Sequence, residues 1–357
     1  MTSGHTVTVF GAYGHTGRFV VAELLRRGFT PVLSGRDAAR LGALAAEYEG
    51  LAAEHGRPAA EHGGLDVRPA SVDDPATLDR ALDGADAVVN CAGPFATTAA
   101  PVIDAALRAG IPYVDVAAEI EANLDTFAHF ADRAKAAGTV VVPAMAFFGG
   151  LGDLLVTAAM GDWEAADEVH VAYGLSGWHP TAGTLAAGTV SRERRDGRRV
   201  VFANGRVEYR DDAAPTLDWA FPEPMGTRPV IGEFSMADIV TVPSHLAVPE
   251  VRTYMAVEAA RELASPDTPA PTAVDESGRS AQTFLVDVLV RSGGEERRAV
   301  ASGRDIYAVS APLAVEAVRH LLTGRAATTG VASAGAAFDA PAFLRDLAPH
   351  VTCVLPG

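Results

Sequence analysis

The sequence predicts an α/β protein with an N-terminal doubly wound parallel sheet and a second α+β domain built on a largely antiparallel sheet. Three observations carry this. Thr6 to Val20 reads as strand, glycine turn and helix; short apolar strands then alternate with amphipathic helices to about residue 143; and beyond Leu151 strand-like segments follow one another through hairpin signals.

Val7, Val9 and Phe10 form a β-branched and aromatic run that stops at Gly11, and Gly14 and Gly17 follow before the amphipathic run Phe19 to Leu25. Such a turn lets the backbone come close to a pyrophosphate, and the helix N-terminus beyond it presents unpaired N–H groups to the anion. Gly11, Tyr13, Gly14, His15, Thr16 and Gly17 are therefore candidate dinucleotide contacts. Gly28 closes the first helix and Pro31 to Ser34 forms the second strand, whose tip reads Ser34-Gly35-Arg36. No acid stands there to accept from a ribose 2′-OH, whereas an Arg accommodates a 2′-phosphate. NADP(H) is the expected cofactor, with Ser34 and Arg36 at its ribose end and Asp37 as N-cap of a helix over Ala38 to Tyr48.

Gly50 to Gly64 is a polar, alanine-rich connection. Leu65 to Pro69 is a strand, Asp74-Pro75 starts a helix to Leu82, and Ala87 to Asn90 is an apolar strand of a parallel-sheet interior. The next turn, Cys91-Ala92-Gly93-Pro94-Phe95, lies at a strand C-terminus, where open α/β sheets bind ligands; Cys91, Ala92, Gly93 and Pro94 join the cofactor set. Pro101 to Ala109, Tyr113 to Val116, Glu121 to Ala137 and Thr139 to Val142 continue the alternation.

Beyond it, the helix Gly152 to Met160 leads into strands at 168–175, 199–203, 207–210, 251–256, 284–291 and 298–302. Asp196-Gly197, Asn204-Gly205 and Ser292-Gly293-Gly294 are hairpin signals. Ser265 to Ser280, rich in Pro, Thr, Ser and Asp, reads as a mobile loop, and helices over 311–322 and 341–347 end the chain.

The net charge of −16 argues against nucleic acid or an anionic membrane as partner, because either needs clustered positive charge. The one basic cluster, Arg192 to Arg199, is broken by Glu193 and Asp196-Gly197 and reads as a solvated hairpin. Two distant cysteines, Cys91 and Cys353, and no H-E-x-x-H spacing give no expectation of a metal site. Met1 to Phe10 has neither a cationic nor an apolar leader region, so a cytoplasmic protein is expected. Thr139 to Gly152, the longest uncharged apolar run, is too short to span a bilayer.

Four stretches together resemble the saccharopine dehydrogenase-like family of NAD(P)-dependent oxidoreductases, including its trans-acting enoyl reductase branch. They are Gly11-Ala12-Tyr13-Gly14-His15-Thr16-Gly17-Arg18, Ser34-Gly35-Arg36, Val89 to Phe95, and Gly110-Ile111-Pro112-Tyr113-Val114-Asp115. The resemblance covers residues 6 to about 160 and thins beyond, to the Thr181-Ala182-Gly183-Thr184 turn and Gly330-Val331. It implies a Rossmann domain over 1–150, a substrate and dimerisation α+β domain over 151–310, and C-terminal helices over 311–357 packing back on the first domain. It also implies a homodimer and a small-molecule substrate whose C=N or activated C=C bond is reduced by NADPH. Two turns depart from the family: Ala118-Glu119 stands for Gly-Glu, and Phe148 to Asp153 replaces a Ser-Val-Pro-Ser-Asp-like turn, keeping only Asp153.

Hydride transfer belongs to the nicotinamide, so no large catalytic set is required of the protein. Ser176 lacks the context of a nucleophile elbow, the glycine turn lacks a Gly-Lys-Ser/Thr ending, and no Tyr-x-x-x-Lys occurs. Proton-handling candidates are Tyr113, Asp115, Glu119, Asp153 and His179, each also readable as a cap, core or loop residue. Glu119 and Asp153 beside the hydride acceptor would favour an iminium. A catalytically idle NADP-binding redox sensor is the alternative to a reductase.

Overall fold

The computed structural model describes residues 4–54, 64–326 and 328–356. Its first layer follows the predicted alternation: β1 (Thr6–Phe10), α1 (His15–Arg26), β2 (Thr30–Gly35), α2 (Ala38–Glu54), β3 (Asp66–Pro69), α3 (Pro75–Leu82), β4 (Ala87–Asn90), α4 (Phe95–Ala109), β5 (Tyr113–Asp115), α5 (Ile120–Ala136) and β6 (Val140–Val142). The strands lie parallel in the order β6-β5-β4-β1-β2-β3, with β4, β5 and β6 wholly buried because helices cover both faces. The connection after α2 from residue 55 to 63 lies outside the described residues.

A buried kinked segment, Phe147–Leu151, with Phe148 and Gly149 outside helical geometry, leads to α6 (Gly152–Met160) and then the second layer: β7 (Glu168–Leu175), α7 (Ala182–Arg194), β8 (Arg199–Ala203), β9 (Arg206–Arg210), β10 (Thr216–Ala220), β11 (Thr227–Gly232), α8 (Asp238–Thr241), β12 (Val251–Ala256), α9 (Val257–Ala264), β13 (Thr283–Ser292) and β14 (Glu295–Arg304). The chain closes with α10 (Ser310–Leu322), β15 (Gly330–Val331), α11 (Ala334–Ala337), α12 (Ala340–Asp346) and β16 (Val351–Val354). The second sheet runs β10-β11-β12-β7-β13-β14-β16, with β8 pairing with β12 and β9 with β8 off this path. It is largely antiparallel, but β12 pairs with β7 in parallel. β15 crosses back and pairs with β6, making the first sheet seven-stranded, while α10 packs on α1.

The differences from the sequence expectation have local causes. α4 begins at Phe95, not Pro101; Pro101 sits inside the helix because the first turn is capped from elsewhere, by Glu119. Asn204-Gly205 and Gly293-Gly294 make hairpin turns with both residues at positive φ, whereas Asp196-Gly197 ends a helix. That helix, α7, holds Gly183, Gly188, Thr189 and Val190 with no amphipathic stripe, so nothing announced it; the basic cluster is its last turn and the start of β8, not a hairpin. Within the loop over 265–280 the Asp275 carboxylate accepts from the Ser277, Arg279 and Arg304 side chains, which ties the 275–279 turn to β14. No helix among the described residues is long and apolar enough to cross a membrane.

Candidate functional site

The glycine turn forms where β1 stops. The Gly11 and Ala12 amides both donate to the Ser34 carbonyl, at 2.8 and 3.1 Å, tying the turn to the tip of β2. Gly11 has φ +85°, and a Cβ there would lie 2.8 Å from the Ala92 nitrogen, so only glycine lets the β1 and β4 turns meet. A Cβ on Gly17 would run into the Gly11 carbonyl. α1 then starts with no side-chain cap and no acid in its first turn, leaving its N–H groups and positive dipole end for an anion. Two polar atoms here are buried and unpartnered: Ser34 Oγ, on a residue with no exposed surface, and His15 Nε2. Orphaned donors around a cradle that a Cβ would fill fit the phosphates and ribose of a dinucleotide.

At the β2 tip Asp37 is spent as an N-cap, accepting from the Ala39 and Arg40 amides. Arg36 is exposed and makes no hydrogen bond or ion pair among the described residues. The Tyr13 ring lies across Gly35, and the Arg40 guanidinium stacks 4.5 Å from its centroid. Two guanidiniums therefore flank the place a 2′-phosphate would take. Arg40 escaped the sequence reading, although it lies one helical turn after Arg36.

At the other end a buried network fixes three strand-tip turns. Asn90 accepts from the Ala92 amide at 3.0 Å and donates to the Tyr113 hydroxyl at 3.1 Å; Tyr113 donates to Asp115 at 2.9 Å; Asp115 accepts from the Ala117 and Ala144 amides at 3.0 and 2.8 Å. Asn90, Tyr113 and Asp115 have no exposed surface. Burial lifts the Asp115 carboxyl to about 6 and the Tyr113 hydroxyl well above its ordinary range, and likewise keeps the Cys91 thiol protonated. Tyr113 thus stands as an internal brace behind Cys91, Ala92, Gly93 and Pro94.

The predicted carboxylates are placed apart. Glu119, 5% exposed, accepts from the Phe95 amide at 2.6 Å and the Ala96 amide at 3.0 Å, capping α4 across the turn; burial raises its carboxyl, and these donors offset that in part. Asp153, at the start of α6, accepts from the Gly335 amide at 2.6 Å and sits 2.8 Å from His245 Nε2. Burial works against the His245 cation, yet Asp153 raises its pKa above the ordinary value. Nearby, the Tyr173 hydroxyl lies 2.9 and 2.8 Å from the two oxygens of Asp238, whose carboxyl burial lifts to about 7. His245, Tyr173 and Asp238 had no sequence signal, being brought together only by the second sheet.

That sheet also reaches the glycine turn. The Tyr307 ring meets His15 edge-on at 5.3 Å. Its hydroxyl accepts from Trp178 Nε1 at 3.1 Å and the Thr181 amide at 3.3 Å, and is 3.0 Å from Thr184 Oγ1 and 3.3 Å from the His179 carbonyl. Phe148 packs between Tyr173 and Trp178. The His179 ring is half-buried on this segment and makes no hydrogen bond among the described residues.

Comparison with known proteins agrees with this geometry. Residues 7–142 match the family model of the saccharopine dehydrogenase NADP binding domain, a span that contains the glycine turn, the Arg36 tip and the braced turns. The N-terminal domain is thus similar to the saccharopine dehydrogenase NADP binding domain. A probable mitochondrial saccharopine dehydrogenase-like oxidoreductase of Arabidopsis thaliana is 30% identical over 151 residues, 40% of this chain and 32% of that protein. A saccharopine dehydrogenase-like oxidoreductase of Bos taurus is 27% identical over 149 residues, 40% of this chain and 34% of that protein. The matched stretch is about a third of the length of these relatives. Apo saccharopine dehydrogenase (L-Glu forming) of Saccharomyces cerevisiae shares the fold over 98% of this chain and 100% of its own, with TM-score 0.61 and 11% identity. The match supports NAD(P) as the cofactor of this domain.

Proposed function

We propose that the chain is an NADPH-dependent oxidoreductase that reduces a C=N or activated C=C bond of a small molecule. The observation that carries the reading is the cradle itself: Ser34 Oγ, His15 Nε2 and the uncapped start of α1 stand unpartnered under a second-sheet roof that touches His15 through Tyr307. A roof over the glycine turn is what a reductase needs to exclude water and to seat a substrate. Bound NADPH supplies the hydride. The Gly11 to Gly17 turn holds the phosphates, Arg36 and Arg40 the 2′-phosphate, and the network through Asn90, Tyr113 and Asp115 sets the turns beside the nicotinamide.

The proton that accompanies the hydride is assigned to His179. Glu119 and Asp153 are occupied as caps and Tyr113 as a brace, whereas the His179 ring lies on the roof with no hydrogen-bond partner among the described residues. This weakens the carboxylate-assisted iminium and leaves enoyl reduction on an equal footing with imine reduction. The occupation of those acids also favours an idle NADP-binding sensor as the second reading. A cytoplasmic homodimer completes the proposal. NADPH consumption across a panel of imines and enoyl compounds tests it, with His179→Gln expected to lower kcat while leaving NADPH affinity intact. Tight NADPH binding without turnover of any compound would leave the sensor.

A further inference from the structure

α7 lies on the outside of the seam between the two sheets. Of its 13 residues only Ser191 is buried, and Leu185 is 51% exposed. It touches the layer below at α4 and α5 and is tethered at both ends, through Thr181 and Thr184 to Tyr307 and through Arg194 to Asp125 at 2.7 Å. The Arg194–Asp125 pair is largely solvated. One turn before Asp125, on the same face of α5, stands Glu121. It is 5% exposed, and neither carboxylate oxygen has a hydrogen-bond partner among the described residues. Every other buried carboxylate among the described residues is hydrogen-bonded. Burial raises the Tyr209 hydroxyl of β9, Glu121 adding to the rise and Arg194, Arg198 and Arg195 opposing it, and the Arg198 guanidinium stacks 4.9 Å from its ring centroid.

We propose that α7 is a lid with two latch positions, its Arg194 held by Asp125 in the form seen here and by Glu121 when the helix settles onto the seam. A buried carboxylate without a partner is costly, and the Arg194 guanidinium, one turn away at Asp125, is engaged in a half-exposed pair that contributes little. Moving Arg194 inward satisfies the one at small loss of the other. α4 and α5 begin at the Pro94 and Glu119 turns, so a settled α7 closes the mouth of the nicotinamide end. A ligand closes the lid only as far as it binds the closed form better. The latch does not depend on the reaction proposed above.

Hydrogen exchange of the α7 amides, read on the full chain without ligand, tests this. If Asp125 were only a tether, Asp125→Asn would speed exchange. The latch requires the opposite: Asp125→Asn frees Arg194 for Glu121 and slows exchange by about threefold or more, and adding Glu121→Gln removes the slowing. Should that double variant fold poorly, Asp125→Asn with Arg194→Gln serves, since the slowing must vanish with the guanidinium too. Faster or unchanged exchange in Asp125→Asn overturns the proposal, as does slowing that survives the second substitution.

Discussion

Replacing Glu119 separates a capping role from a chemical one. Its carboxylate meets the two first amides of α4, Phe95 at 2.6 Å and Ala96 at 3.0 Å, and Pro94 at the N-cap has no side chain that could take over. Phe95 is buried, so water does not rescue its N–H. Two hydrogen bonds to a charged acceptor, at about 1.5 kcal/mol each, and the loss of a negative charge at a helix start, at about 0.5 kcal/mol, give about 3–4 kcal/mol for Glu119→Ala. Glu119→Gln keeps one acceptor and loses about 1–2 kcal/mol. Thermal unfolding followed by circular dichroism should show Glu119→Ala melting about 4–5 °C below the parent. Burial raises the Glu119 carboxyl by more than the Phe95 and Ala96 amides lower it, so the folded state holds the proton more tightly and stability falls as pH rises through the raised pKa. Glu119→Gln should flatten that acid-range slope. An unchanged melting temperature in Glu119→Ala together with lost turnover would refute the capping argument and return Glu119 to the chemistry.

Arg36→Ala should weaken NADPH binding by about 10–100-fold and leave NADH binding as it was, while Arg40→Ala loses less; equal NADPH and NADH affinities in the parent, by fluorescence titration, defeat this. Gly14→Val puts a branched side chain against the Gly11 carbonyl, 3.1 Å from its Cβ, and across the phosphate approach. NADP(H) binding should vanish with the circular dichroism spectrum kept, and retained binding would show the turn is misassigned. Asp238, raised to about 7 by burial, favours the protonated folded form, so parent stability should drop by about 1.4 kcal/mol between pH 6 and pH 8. Urea unfolding of Asp238→Asn should lack that drop; an equal drop in both excludes Asp238 as its source.

The first layer was legible because its signals are local. Val7 to Gly17 carries strand, turn and helix within one stretch, and a parallel strand such as Val88-Val89 is apolar on both faces. The cofactor turn could be read for the same reason. The second layer gave up its hairpins where Asn-Gly and Gly-Gly turns mark them, and lost α7, whose solvent-facing small residues carry no period. For Glu119 and Asp153 the sequence offered capping and chemistry side by side and could not choose between them. A carboxylate at a strand tip looks alike in sequence whether it faces a ligand or, as here, the bare start of a distant helix.

The short strand β15 gives the molecule an order of assembly. Gly330 and Val331 finish a sheet whose neighbouring strand, β6, is made at Val140–Val142, and α10 covers α1. During synthesis β6 is an open edge, and the outer face of α1 is bare, until the intervening chain has left the ribosome, a delay on the order of 10–40 s at ordinary elongation rates. Through that interval the nascent nucleotide domain is a template for wrong pairing and a client for chaperones. Its seal is the tail of the same polypeptide, so a truncation just before β15 should harm the solubility of a domain encoded almost wholly at the other end.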